Sequence, residues 1–530
     1  MNSRTALVRI GKMVAAEVAE GHPGSASQFA LKSIEAAPEK AADLIELIIK
    51  EGTKKRPDDD VIAAYGFLLT FGLEQLRFAV EREDATAITL ADTLRTTLLH
   101  AGLNGRISPP LLLLVLHQFA AAKLEMGDPL RDLMQRLMDE DIESRAKVAA
   151  GEGSDHLASV AEDLDGNPFA IHAYLDEHAE AVPKELRADV VMAAFNDAEP
   201  ALREAVVGFL FSSAAAIRFK LAELLELSAP HKLVSPTMLR RMIGLRNWLP
   251  AEERPALDRA IKACRQEGVT CASWPSVKAG KVFATFIDGS GAHSLLVIVP
   301  EGRKHAVAAL LAKLGAGLRD AWVKHETTDA ELREILSQFP AEAVIKPSTL
   351  EYATAAARYF LAMNVAAGTM PPFGLLDFAE TVGLASLNPE AMPVERLLDT
   401  LSREIDSERL SSKGIAEALA NSARWSDEQP MFETWFEDTA EVRQLLAKRL
   451  PKTKLRNALL SELLPKRRQQ WAELLAWSAF AKKHQPDGTA WEEMVVVARE
   501  LLGDRALGDI PLMHTIADRT LAVHRQRNAW

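Results

Sequence analysis

Residues 186–225 read LRADVVMAAFNDAEPALREAVVGFLFSSAAAIRFKLAELL, and one apolar spacing occurs three times within them. The copies are Leu186, Val190, Ala193, Ala194; then Leu202, Val206, Phe209, Leu210; then Ile217, Leu221, Leu224, Leu225. The spacing i, i+4, i+7, i+8 places each set on one face of an α-helix, which is typical of a buried helix face. Successive copies begin 16 and then 15 residues apart. The pattern predicts stacked helical hairpins rather than a fold built around one centre.

An arginine follows the first apolar position of each copy, and another follows Leu239. These residues are Arg187, Arg203, Arg218 and Arg240. One interpretation is a strip on the stack that binds anions or carboxylates. The alternative is pairing between repeats with residues such as Asp197 and Glu199, because a guanidinium group makes forked hydrogen bonds to carboxylates. The regular spacing favours the pairing.

Residues 196–206, NDAEPALREAV, resemble the turn and second helix of a HEAT-type repeat. In such repeats an Asp/Pro turn precedes an apolar-arginine pair and then small and apolar residues at helical spacing. Asp197 can cap exposed amides, and Pro200 costs little in the first turn of a helix. The resemblance covers about residues 183–267. It implies a scaffold and carries over no catalytic residue.

Composition limits the class of protein. At 530 residues the chain is expected to divide into about three or four units. A hydrophobic content of 48% with 26% charged residues is typical of a soluble, folded protein. The net charge of −12 opposes broad attachment to nucleic acid or to an anionic membrane, so such binding would need a local basic patch.

The cysteines and the apolar runs indicate the compartment. Cys264 and Cys271 are the two cysteines of the sequence, so no disulfide framework supports the fold and a cytoplasmic location is expected. Arg9, Lys12 and Glu17 interrupt the first apolar stretch, which therefore predicts an amphipathic helix rather than a signal peptide. No apolar run reaches the ~20 residues that span a bilayer, so no membrane partner is expected.

The pattern along the chain predicts a mainly α fold: a HEAT-like α-α superhelix or helical array with a small embedded α+β module. Residues 1–150 form an N-terminal helical region. Residues 151–269 form the HEAT-like block, and its first stretch, GEGSDHLASVAEDLDGN, is interpreted as a linker or long connection. Residues 270–328 form the α+β module, and residues 329–530 form a C-terminal helical region.

The α+β module is predicted to have a ββαβ-like order. Residues 281–287 (KVFATFI) and 293–299 (HSLLVIV) form two strands joined by a glycine-rich turn. Residues 302–314 are predicted to form a helix that ends at Gly315 and Gly317. Residues 318–324 form a third strand.

Chemical motifs are sparse. Asp288, Ser290 and His293 are the nearest polar set for an enzyme site at this module, but no Gly-x-Ser-x-Gly motif is present and a hairpin turn is the simpler interpretation. His156, His172 and His178 lie near acidic residues without the His-x-x-x-His spacing of a zinc helix. Neither a metal nor a cofactor is therefore expected.

Residues 448–468 are strongly basic. They contain eight basic residues and one acidic residue, Glu462. Trp471 and Trp477 follow, and aromatic rings beside basic side chains can stack on nucleobases. The residues proposed for such binding are Lys454, Arg467, Arg468 and Trp471. The alternative is a solvated basic face beside two core tryptophans.

Three functions remain open. The leading hypothesis is a non-enzymatic scaffold or adaptor that offers a helical-repeat surface to a protein partner. The first alternative is a nucleic-acid-associated protein that uses residues 448–468. The second alternative is an enzyme with its site where the α+β module meets the helices.

Overall fold

Contacts divide the chain into an N-terminal unit, Met1–Leu210, and a C-terminal unit, Phe211–Trp530. A computed structural model describes residues 3–19, 25–35, 37, 39–54, 57–133, 152–181, 184–197, 199–276, 280–337, 339, 345–385, 387–448, 450–486, 488 and 490–527. The fold is mainly α with one small antiparallel sheet. This confirms the prediction of a mainly α fold with a small strand-containing module.

The described part of the N-terminal unit is helical. Its helices are α1 (Ser3–Ala19), α2 (Ser25–Glu35), α3 (Lys40–Gly52), α4 (Asp59–Glu81), α5 (Ala85–Leu103), α6 (Pro109–Ala121), α7 (Glu152–Asp163), α8 (Pro168–Ala181), α9 (Lys184–Asn196) and α10 (Pro200–Val206). Residues 128–133 are also helical.

Helix α4 forms the centre of this unit. Asp58 caps its first turn by accepting a hydrogen bond from Val61 N at 3.2 Å. Helices α1, α2, α3, α5 and α6 pack around α4, whose Leu68, Leu73 and Leu76 are fully buried. Among the described residues α4 is the one helix long and apolar enough to cross a membrane, and 56% of that stretch is buried inside the protein. A core helix of a soluble protein has the same composition.

The prediction of a linker at residues 151–167 is wrong, because most of this stretch forms α7. Val160 and Ala161 are buried, and with Leu157 and Leu164 they follow the i, i+3, i+4, i+7 spacing of a helix. The glycine and acidic content that suggested a linker belongs to the ends of the stretch. There Gly166 takes a left-handed φ of +63° in the turn to α8.

The C-terminal unit contains a sheet between two sets of helices. Its helices are α11 (Ala215–Ser228), α12 (Pro236–Leu245), α13 (Arg254–Gln266), α14 (Asp329–Ser337), α15 (Leu350–Ala367), α16 (Gly374–Val382), α17 (Val394–Ser402), α18 (Ser412–Ser422), α19 (Trp425–Glu428), α20 (Ala440–Leu446), α21 (Lys452–Ala458), α22 (Arg468–Lys483), α23 (Trp491–Leu502) and α24 (Pro511–Arg527). Its strands are β1 (Lys281–Thr285), β2 (Ala292–Glu301), β3 (Lys304–Lys313), β4 (Gly317–Thr327) and β5 (Ile345–Ser348).

The sheet is antiparallel throughout, in the order β4-β3-β2-β1-β5. Helices α15 and α16 cover one face, and α14 lies against Leu296 and Val307 on the other. The approach of α16 is close, because a Cβ added at Gly374 would overlap the Ala321 carbonyl oxygen of β4. Helix α16 is therefore fixed against β4, the strand at one edge of the sheet.

The helix predicted at residues 302–314 is wrong, because residues 304–313 form β3. Ala and Leu favour helices, but β3 is flanked by strands on both sides and covered by helices on both faces. A strand in that position is a continuous apolar run, which periodicity alone cannot distinguish from a buried helix. Gly302, with φ +61°, belongs to the two-residue turn between Glu301 and Lys304.

The three apolar stripes all lie on helices, namely α9, α10 with the 3-10 turn that follows it, and α11. The second stripe is buried at all four positions, and in the third Ile217, Leu221 and Leu225 are buried. In the first stripe Ala193 is exposed, while Val191 and Phe195 are buried. The buried face of α9 is therefore rotated about the helix axis relative to the predicted face.

Aromatic side chains join the C-terminal helices to the sheet. His293 of β2 contacts Tyr352 and Phe360 of α15, and Trp477 of α22 stacks on Tyr359 with ring centres 4.3 Å apart. Helices α22 and α23 pack along each other. Both helices lie in the region 329–530, which was predicted to be helical.

Candidate functional site

Arg218, one of the four predicted arginines, is held in a buried ion pair. Its Nη2 lies 2.5 Å from Glu253 Oε1, and its Nε lies 2.7 Å from Glu253 Oε2. Both side chains are buried, and Arg218 Nη1 also donates to the Ser212 carbonyl oxygen. The pair joins α11 to the residue that precedes α13. The interpretation of Arg218 as part of an external anion-binding strip is therefore wrong.

Arg240 is also enclosed by the protein. Its Nη2 lies 2.7 Å from Glu380 Oε1, and its Nη1 donates to the Ser273 carbonyl oxygen at 2.9 Å. The guanidinium carbon lies 5.5 Å from the centre of the Trp274 ring. Because Arg240 is buried, its interpretation as an anion-binding residue at the surface is also wrong.

Arg187 and Arg203 lie in the N-terminal unit. Arg187 is buried on α9. Arg203 of α10 is half-buried, and its Nη1 donates to the Asp197 carbonyl oxygen. This bond reaches the backbone of a residue that the pairing interpretation named, rather than its carboxylate.

The candidate enzyme set Asp288, Ser290 and His293 does not assemble into a site. Asp288 Oδ1 accepts hydrogen bonds from Ser290 Oγ at 2.8 Å and from Ala292 N at 2.8 Å, which closes the turn between β1 and β2. Ser290 is exposed, whereas His293 is buried with its Nε2 3.0 Å from the Tyr352 hydroxyl. Burial lowers the pKa of His293 to about 3. The proposed roles of Ser290 and His293 are therefore wrong, because the two side chains lie in different environments.

Five of the eight basic residues at 448–468 bind groups of the same chain. Lys466 Nζ lies 2.6 Å from Glu441, and Arg467 Nη1 lies 2.5 Å from Glu437 Oε2. Lys452 and Arg456 both bind Asp518, at 3.3 and 3.2 Å. Arg468 donates to the carbonyl oxygens of Gly503 and Arg505 beyond the end of α23. Most of these basic side chains therefore stabilise the packing of helices within the chain.

Trp471 cannot stack on a nucleobase, because only 2% of it is exposed. Its ring centre lies 5.7 Å from that of Trp435, and Trp477 is buried as well. The predicted base-stacking role of Trp471 is wrong. Lys454 is exposed on α21 and remains accessible.

A charged group that the sequence did not reveal lies where the sheet meets the helices. The junction cluster consists of Arg240 and Arg241 of α12, Asp377 and Glu380 of α16, His325 of β4 and Glu301 of β2. Glu380 Oε1 accepts from Arg241 Nε at 2.9 Å as well as from Arg240, and Glu380 Oε2 accepts from Arg241 Nη2 at 3.1 Å. One buried carboxylate thus holds two arginines.

His325 connects this group to the sheet. Its Nδ1 lies 2.7 Å from Glu301 Oε1, and its Nε2 lies 4.0 Å from Asp377 Oδ1. Asp377 is three residues before Glu380, so both carboxylates project from the same side of α16. The cluster therefore connects α12, α16, β4 and β2 through charge.

The two carboxylates of α16 differ in acidity. Burial raises the pKa of Asp377 to about 6, with Glu380 adding to the rise and His325 and Arg241 opposing it. Burial also acts to raise the pKa of Glu380, but Arg241 and Arg240 outweigh it and hold that pKa below its ordinary value. Asp377 can therefore exchange a proton near neutral pH.

One signal for this cluster was present in the sequence, namely the acidic pair Asp377 and Glu380 inside the apolar helix GLLDFAETV. Their partners could not be read from it, because Glu380 is 140 residues from Arg240. Within the described ranges no three His, Cys, Asp or Glu side chains are arranged to hold a metal ion.

A second candidate surface lies on α11. Its outer face consists of Phe219, Lys220, Glu223 and Leu227, all of them exposed. The exposed fraction is 44% for Phe219 and 65% for Leu227. These two residues fall outside the Ile217 stripe, whose inner positions are buried. The i, i+4, i+8 spacing of Phe219, Glu223 and Leu227 places them along one side of the helix.

Two domain models of one family match parts of this chain. The Y4lR second domain matches residues 183–268, and the Y4lR C-terminal helical domain matches residues 395–525. The chain is 26% identical over 421 residues to the uncharacterized protein y4lR of Sinorhizobium fredii (strain NBRC 101917 / NGR234), across 77% of this chain and 79% of that protein. No solved structure matches the chain. The outer face of α11 lies within the first matched stretch.

Proposed function

We propose that this chain is a non-enzymatic scaffold that binds a protein partner through the outer face of α11. The observation that carries the proposal is the exposure of Phe219 and Leu227 on one side of that helix. Because only 44% of Phe219 and 65% of Leu227 is exposed, burial of the exposed parts against a partner would contribute ~0.7–2 kcal/mol each. Lys220 and Glu223 supply the polar surroundings that usually border such anchors.

The inner side of α11 supports a pre-organised surface. On this side Ile217, Leu221 and Leu225 are buried. The forked Arg218–Glu253 pair holds α11 in one orientation about its own axis. A surface that is already ordered loses less conformational entropy on binding. The partner would therefore meet α11 in the geometry described here.

The helical block extends the proposal to a HEAT-like scaffold. Helices α9, α10 and α11 follow one another closely along the chain, because α10 begins four residues after α9 ends and α11 begins four residues after the 3-10 turn that follows α10. This succession supports the HEAT-like interpretation, in which each added helix pair extends a binding surface. A cytoplasmic location suits the two free cysteines, of which Cys271 is exposed.

A capture experiment tests the proposal. The full chain is tagged and used to recover partners from native lysate, in parallel with the double variant F219S/L227S. We expect the variant to lose at least ten-fold of a stoichiometric partner, because both apolar anchors are removed.

The control is the double variant L410S/L450S, which changes two exposed leucines elsewhere in the C-terminal unit. It should retain the partner, and circular dichroism should show that both variants are folded. Equal recovery by the folded F219S/L227S variant and the native chain would overturn the proposal.

A further inference from the structure

Helices α1 and α2 form a layer over one side of α4 in the N-terminal unit. Gly11 of α1 lies directly against the Tyr65 ring, and Gly72 lies against Ile34 of α2, where an added Cβ would be 3.2 Å from Ile34 Cγ2. Tyr65 and Gly72 are seven residues apart, so they lie on the same side of α4. The sides of α1 and α2 that point away from α4 therefore form one outer surface.

This outer layer carries two of the most exposed apolar side chains among the described residues. Phe29 of α2 is 65% exposed and Met13 of α1 is 51% exposed. Single exposed apolar residues are ordinary on a soluble protein. Here the two occur on adjacent packed helices together with cationic side chains, and this combination indicates a binding surface.

The described charges that face solvent in this layer are positive. Arg9 and Lys12 of α1 and Lys32 of α2 are exposed. Glu17 of α1 is instead turned to the first turn of α2, where it accepts from Ser27 N at 2.8 Å and from Ser27 Oγ at 2.6 Å. The Glu17 carboxylate is therefore bound within the layer, at the N-terminus of α2, where the helix dipole favours an anion.

We propose that the outer layer of α1 and α2 docks the protein on an anionic lipid surface. Arg9, Lys12 and Lys32 would meet lipid phosphates and carboxylates, while Phe29 and Met13 would enter the boundary between headgroups and acyl chains. A nucleic acid would satisfy the cations but offers Met13 no apolar environment. A lipid boundary provides both, which is why it is the favoured partner.

The net charge of −12 determines how strongly this docking depends on the α1–α2 layer itself. The rest of the chain repels an anionic surface, so binding depends on the local layer and on the lipid charge. Attraction extends about 10 Å at 0.1 M salt and is weakened at higher salt. The proposal is independent of the outer face of α11, which lies in the other unit.

Vesicle co-sedimentation of the full chain tests the proposal. The probes are vesicles of phosphatidylcholine alone and vesicles with 30% phosphatidylserine, each at low and high salt. We expect binding to the phosphatidylserine vesicles at low salt and loss of binding at high salt. K12E and K32E should each weaken the partition at least five-fold, because each removes a cation near the surface. F29S should weaken it about ten-fold.

The matched controls change exposed residues outside the layer. K262E on α13 makes the same charge change as K12E, and L103S at the end of α5 removes an apolar side chain that is 52% exposed, against 65% for Phe29. Both should bind like the native chain, and circular dichroism should show that all variants are folded. The proposal fails if the native chain ignores lipid charge, or if K12E and K32E bind as K262E does. It also fails if low-salt binding appears with single-stranded DNA but not with the vesicles.

Discussion

Arg218 and Glu253 are 35 residues apart in the sequence and form a forked ion pair with both partners buried. Arg240 and Arg241 share Glu380 in the same way. In both cases the sequence identified an arginine as notable without showing its partner. Buried charges require partners, so these arginines are structural residues rather than residues of an open site.

Removing Arg218 is predicted to be costly. R218A leaves the Glu253 carboxylate buried without a cation, which should lower the free energy of unfolding by about 3–5 kcal/mol. R259A is the matched control, because Arg259 pairs with Glu226 at the surface and such pairs contribute about 1 kcal/mol or less. Urea unfolding followed by tryptophan fluorescence reports on the correct unit, since all nine tryptophans lie at residues 248–530. Equal effects of the two variants would contradict the assignment.

Asp377 is predicted to make stability depend on pH. Its folded pKa is about 6, above the ordinary 3.8, so the folded state favours the protonated acid. The contribution of Asp377 to stability is therefore full below about pH 3.8 and is lost as pH rises through about 6. By pH 8 the loss is of order 3 kcal/mol, and D377N should remove it.

Unfolding of D377N and of the native chain at pH 5 and pH 8 checks this prediction. D377N should raise the unfolding free energy by about 3 kcal/mol at pH 8 and by about half as much at pH 5, where part of the titration has already occurred. T400A, at an exposed helix position in the same unit, serves as a neutral control. A D377N effect of the same size at both pH values would exclude titration of Asp377 as the cause.

At the scale of elements, local pattern predicted most helices and failed where tertiary context decides. Within the C-terminal region that was predicted to be helical, residues 511–527 form α24, because apolar spacing and the Pro511 start agree there. Strand β3 was predicted as a helix, because its run of Ala and Leu is buried on both faces of the sheet and has no period of two. The stretch that forms α7 was predicted to be a linker because it contains glycines.

The turn between β3 and β4 gives a prediction at this scale. Gly315 and Gly317 both have left-handed φ values, +76° and +77°, so alanine costs ~1–2 kcal/mol at either position. At Gly317 the added Cβ would also overlap Asn364 Oδ1 and lie 2.9 Å from the Phe360 carbonyl oxygen, whereas nothing lies within 4 Å at Gly315.

G317A should therefore destabilise the C-terminal unit by about 2 kcal/mol more than G315A. The additional loss comes from Asn364, whose side chain accepts from Leu318 N at 2.7 Å and donates to the Leu318 carbonyl oxygen at 3.2 Å. Thermal unfolding followed by tryptophan fluorescence measures the difference. Matching midpoints for the two variants would show that Asn364 does not hold the start of β4.

At the scale of the whole molecule, the sequence indicated a helical protein with an embedded sheet but not its sites. The junction cluster combines residues from β2, β4, α12 and α16, which only the tertiary fold brings together. The outer face of α11 could have been found, because Phe219 and Leu227 are apolar residues outside the Ile217 stripe. The regularly spaced arginines are the more conspicuous pattern in the sequence, but Arg218 and Arg240 are buried in ion pairs.

Site-specific photo-crosslinking is the most direct test of protein binding by the outer face of α11. A photoreactive phenylalanine analogue placed at Phe219 should yield one crosslinked protein product in cells, in an amount reduced at least ten-fold by L227S. The same analogue at Phe78, an exposed phenylalanine of the N-terminal unit, should not yield that product. A Phe219 analogue that forms no crosslink in the folded protein, or the same products from both positions, would contradict the proposed scaffold surface.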